Sequence, residues 1–110
     1  MKHAVPHALP MNLVRRASDA ALRSYQQQFP EYKPTATWVS DRRADVTFEV
    51  MGKKLQGGLD LTDRAVELEL KVPMLMKPFA STALGVVEQE VKRWLDKARQ
   101  GELDEAGTLV

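Results

Sequence analysis

His3 and His7 stand four residues apart, the spacing at which two imidazoles on one helix can share a metal ion. Pro6 lies between them in a stretch that reads as extended coil, and no third ligand is near in sequence. A metal ion needs three or four converging ligands, so this pair is read as no metal site. Ser40-Asp41 offers a nucleophile and an acid, but the expected fold supplies no histidine to act as base, which excludes a triad. Asp45, Asp60, Glu67 and Glu69 fall at strand positions that share one sheet face. A general acid among them would need a desolvating pocket, and an open sheet face gives none. Arg43, Lys54 and Lys71 share that face as cross-strand ion partners. Gly57-Gly58 sits inside a strand pattern rather than between strand and helix, so it is a bulge or a close helix crossing and not a phosphate loop. The residue types thus give no reaction and no cofactor, and the chain reads as non-enzymatic.

The totals narrow the class further. The 110 residues suit one domain with a core of its own, residues 1–101, followed by a flexible tail at 102–110. The absence of cysteine removes disulfide and thiolate chemistry. A formal net charge of +1 gives no general attraction to nucleic acid. No apolar run reaches the roughly 20 residues of a spanning helix, so no membrane insertion is expected. The first residues lack the apolar core of a signal peptide, which places the protein in the cytoplasm as an expectation.

Periodicity supplies the elements. From Pro10 to Gln28, Leu13, Val14, Ala17, Ala20, Ala21 and Tyr25 make the apolar side of an amphipathic helix. Between Ala36 and Val72 apolar and polar residues alternate across four strands with short turns at Ser40-Asp41-Arg42, Gly52 and Thr62-Asp63-Arg64. Strands joined this tightly pair as neighbours, giving a meander in the order 1-2-3-4. Residues Met1 to Leu9 read as an extended lead-in broken by Pro6. A second helix runs from Met76 or Pro78 to Arg99 with a stripe that includes Leu84, Val87, Val91, Trp94, Leu95 and Ala98. The expected fold is a two-layer α+β sandwich, α-β-β-β-β-α, with both helices on one face of the sheet. Trp38 and Trp94 are read as core anchors rather than stacking platforms.

The connection into the second helix is more apolar than a linker needs to be. Met74, Leu75, Phe79 and Val86 project away from the main stripe, with Lys77 and Arg93 at their rim. Such a patch either packs on the end of the first helix, near Met11, Leu22 or Phe29, or forms an adaptable contact surface.

Several segments resemble a known family. They are Val5-Pro6-His7-Ala8-Leu9-Pro10, Thr37-Trp38-Val39-Ser40-Asp41 with Arg43-Ala44, and Val72-Pro73 through Lys77-Pro78-Phe79. With Glu88-Gln89-Glu90-Val91-Lys92-Arg93-Trp94, they are similar to the polyhydroxyalkanoic acid system proteins, small bacterial proteins tied to the storage-polyester system. The resemblance covers about residues 1–101 and carries no catalytic residue. It implies a role at or near polyhydroxyalkanoate granules, with the granule surface or granule proteins as partners. Two functions from different classes follow: an accessory binding protein acting through the Met74–Phe79 region, or a carrier holding an acyl or hydroxyacyl ligand between helices and sheet. The carrier needs a cavity of roughly 300 Å³. A homodimer is a further expectation, through an exposed edge strand or the off-stripe patch.

Overall fold

The computed structural model describes residues 2–72 and 77–101, with the side chains at 77–81 and 83 set aside. Strand β1 (Lys2–Pro6) leads into helix α1 (Met11–Gln28) and a short 3-10 turn at Pro30–Tyr32. Strands β2 (Thr35–Ser40), β3 (Arg43–Val50), β4 (Lys53–Leu61) and β5 (Ala65–Lys71) follow, and helix α2 (Lys77–Arg99) closes the fold. All strand pairs are antiparallel, in the order β1-β5-β4-β3-β2.

The four alternating strands form the expected meander, but the sheet has a fifth member. The lead-in is a strand: Lys2 to Pro6 pairs with Glu69 to Ala65 and caps the free edge of β5. Only Val5 of its residues is buried, so β1 adds main-chain hydrogen bonds with almost no apolar signal. Pro6 is tolerated because it ends an edge strand, where a missing N–H costs no ladder bond.

Alternation then sorts the side chains. Ala44, Phe48, Val50, Leu55, Leu59, Leu61, Val66, Leu68 and Leu70 are buried on the face that the helices cover. From α1 come Val14, Ala17, Ala20, Ala21, Leu22 and Tyr25, and from α2 Leu84, Val91, Trp94, Leu95 and Ala98. Each large member contributes about 1.5–3 kcal/mol when fully buried. Trp94 is a core residue, whereas Trp38 packs against the core from the sheet edge. There its indole N–H donates to Asp19 Oδ1 at 3.0 Å, and the Arg15 guanidinium lies 3.6 Å above its ring.

Three local features fix the sheet geometry. Met51 and Gly52, both at positive φ, make the two-residue turn between β3 and β4. A bulge between Trp38 and Ser40 bends the end of β2. The Gly57-Gly58 pair marks close approaches, and neither is a helix crossing. A Cβ on Gly57 would run into the main-chain carbonyl oxygen of Glu69 on β5, and one on Gly58 would displace the Arg43 guanidinium. The predicted tail at 102–110 lies outside the described residues.

Candidate functional site

β1 and β5 are antiparallel, so the helices that follow them start from opposite ends of the sheet and run in opposite directions. Ser24 of α1 accordingly meets Arg93 of α2, and Gln28 meets Glu90. Glu90 is the hub of this seam. Its carboxylate accepts from Arg93 Nη2 at 2.9 Å, from the Trp94 indole N–H at 3.3 Å and from Gln28 Nε2 at 3.3 Å. Arg93 also donates to Ser24 Oγ at 3.1 Å and lies over the Trp94 ring. The seam was not among the predicted features, although Glu90, Arg93 and Trp94 stand at i, i+3 and i+4, the spacing that makes helical neighbours.

Burial pushes the Glu90 carboxyl up, and the donors Arg93, Ser24 and Trp94 more than offset it, leaving it below the ordinary glutamate value of 4.5. A depressed folded value means that the contribution is fully present above the unfolded value and is lost as pH falls through the folded one. Glu90→Gln should therefore destabilise the protein by about 1–3 kcal/mol at neutral pH. In urea melts, the gap between wild type and variant should narrow as pH falls below the ordinary glutamate value of 4.5. A gap unchanged between neutral and acid pH would show that the charge on Glu90 is not what holds the seam.

Of the predicted contact patch, Arg93 belongs to this seam. Helical periodicity places positions 79, 86 and 93 on one line of α2, two turns apart each time. Arg93 is partly exposed at the seam, and Val86 is half-buried two turns before it. Met74 and Leu75 lie outside the described residues, as do the side chains of Lys77 and Phe79. At the nearby end of α1, Tyr25, Phe29 and Tyr32 form an aromatic row with centroid separations of 5.1 and 6.1 Å. Burial pushes the Tyr25 hydroxyl up to about 12, with the nearby Tyr32 and Glu31 adding to the effect.

The opposite face of the sheet is charged and internally compensated. Arg43 reaches across Gly58 to donate to Asp45 at 3.1 Å and to Asp60 at 2.7 Å. Burial works against its positive charge, but the two carboxylates outweigh that and raise its pKa. Beside this cluster, a hollow of about 350 Å³ opens between Asp45, Thr47, Gln56, Glu69 and Lys71. The four carboxylates singled out from the sequence share this face, with Glu67 and Glu69 opposite Asp60 and Gly58. Cationic Lys2, Arg43, Lys54 and Lys71 are interspersed with anionic Asp45, Glu49, Asp60, Glu67 and Glu69, and none of the face's strand positions is aromatic.

The histidines are drawn to separate partners. His3 Nδ1 lies 2.9 Å from Glu88 Oε2, tying β1 to α2. That hydrogen bond, with Lys92 also close, holds the Glu88 carboxyl below its usual range despite opposing desolvation. His7 donates from Nε2 to the Thr62 carbonyl at 2.8 Å and accepts the Leu9 N–H at Nδ1, 3.2 Å away. Nε2 therefore fastens the β1–α1 connection to the β4–β5 turn, while Nδ1 braces that connection internally. Among the described residues no group of three or more His, Asp or Glu is placed to hold a metal ion. No helix among them is long and apolar enough to cross a membrane. Between α1 and the sheet, the hollow bounded by Leu22, Tyr25, Val46, Phe48 and Val87 measures about 20 Å³.

Compared with known proteins, residues 3–98 match the family model for putative polyhydroxyalkanoic acid system proteins. No curated protein and no solved structure matches the chain.

Proposed function

We propose that this chain, which belongs to the polyhydroxyalkanoic acid system protein family, acts in that system as a non-enzymatic accessory binding protein. Its contact with the granule, or with a granule protein, is made through the apolar start of α2. The family match carries the reading, because it runs from β1 to the last turn of α2 and so concerns the whole domain.

The distribution of surface chemistry supports the choice of contact. Docking the open sheet face on an oily polymer would strip water from Arg43, Lys71, Glu67 and Glu69, and burying charges costs several kcal/mol each. The line through positions 79 and 86 instead carries phenylalanine and valine, with Met74 and Leu75 just before it in sequence. Hydrophobic burial would drive contact there, while Lys77 and Arg93 keep the rim wet. Both nitrogens of His7 are committed to main-chain hydrogen bonds, which leaves it none free for proton transfer. The hollow of about 20 Å³ bounded by Leu22, Tyr25, Val46, Phe48 and Val87 is far below the roughly 300 Å³ of a small-molecule site and lends the carrier no support.

A fluorescent fusion of the full chain, produced in cells that accumulate the polyester, should gather at granules stained with a lipophilic dye. Fluorescence spread evenly through granule-filled cells would count against the assignment.

A further inference from the structure

We infer that two copies of this chain pair edge to edge through β2, antiparallel about Thr37, so that their sheets join into one. The two edges of the sheet are built differently. β1 is defended by Lys2, by Pro6 and by the His3–Glu88 link to α2. Such devices discourage another strand from adding to an edge. β2 has the sequence Thr-Ala-Thr-Trp-Val-Ser, with neither charge nor proline in its six residues. Among the described residues its one strand partner is β3, so its outer row of N–H and C=O groups faces away from the sheet. Val39 on this strand is 57% exposed, and Thr35 and Thr37 are exposed as well. These β-branched residues suit strand pairing.

A second copy is the occupant that the flanking charges favour. Lys33 precedes the strand and Asp41 follows it. In a two-fold antiparallel pair centred on Thr37, residue 36 faces 38, and Lys33, just before one end of each strand, comes near the partner's Asp41, just past the other end. The symmetry makes that ion pair twice. Lys33 is 77% exposed and pairs with Glu49 at 3.5 Å, and among the described residues the Asp41 carboxylate has no ion pair. Moving the register by one residue pair in either direction separates these charges. The bulge after Trp38 leaves a short regular run from Thr35 to Trp38, so the main-chain ladder is brief and the end charges set both register and affinity.

Sedimentation velocity on the full chain across the micromolar range tests this, with circular dichroism confirming that each variant folds. Wild type should show a concentration-dependent dimer. Lys33→Asp and Asp41→Lys, each turning two attractions into repulsions, should each weaken it about tenfold or more. The position of Lys33, at a φ of 46°, is one that aspartate accepts. Combining Lys33→Asp with Asp41→Lys should restore dimerisation close to wild type. A wild type that stays monomeric, single variants without effect, or a double variant no tighter than the singles would each overturn the proposal. The proposed granule contact uses a different surface, so a monomer that still reaches granules would remove this inference and leave that function standing.

Discussion

Leu75→Asp combined with Phe79→Asp is expected to abolish partition onto polyhydroxyalkanoate granules while the protein stays folded. The effect should be large because two apolar side chains at the centre of the proposed contact become charged. Each loses about 1.5–3 kcal/mol of burial and adds the cost of desolvating a carboxylate. Folding should survive because the described core draws on α1, the strands and the Leu84–Ala98 part of α2. The check is co-sedimentation with purified granules beside a circular dichroism spectrum. A folded double variant that sediments as wild type does would exclude this patch as the contact.

Gly57→Ala should be the most damaging small substitution in the sheet. The added methyl would meet the Glu69 carbonyl oxygen, which belongs to the main chain and cannot rotate away. β4 and β5 would have to separate, at a cost near or above the roughly 3 kcal/mol upper range of ordinary overpacking. For a domain of this size that is a Tm lower by about 10–20 °C. Two other glycines serve as internal controls. At Gly58 the obstacle is the end of the Arg43 side chain, which can swing aside at the loss of its bonds to Asp45 and Asp60, so Gly58→Ala should cost less. Gly85 lies within α2 with nothing within 4 Å of an added Cβ, and Gly85→Ala should stabilise by about 0.5–1 kcal/mol. Equal Tm changes for the first two, or a loss at Gly85, would contradict the packing described.

The sequence announces those elements whose burial is periodic. Val46, Phe48 and Val50 alternate with Thr47 and Glu49, and Leu84, Val91 and Ala98 recur every seven residues along α2, so strands and helices show directly. β1 stays hidden because its role is to supply edge hydrogen bonds; with one buried residue and a terminal proline, Lys2–Pro6 looks the same as coil. The glycine pair likewise signals a close approach without naming what approaches, since β5 and Arg43 reach it only through tertiary pairing. Of the candidate contact, Val86 and Arg93 can be followed into the fold, and Arg93 turns out to belong also to the Glu90 seam. That second role is not visible from α2 alone, because Ser24 and Gln28 come from the other helix.

The most direct test is the partition of the wild-type protein between buffer and purified granules, native and stripped of their surface proteins. The proposed function predicts that the protein sediments with at least the native granules. Retention on stripped granules would locate the contact on the polymer, and its loss there would locate it on a granule protein. Wild-type protein that stays in the supernatant with both preparations would contradict the account.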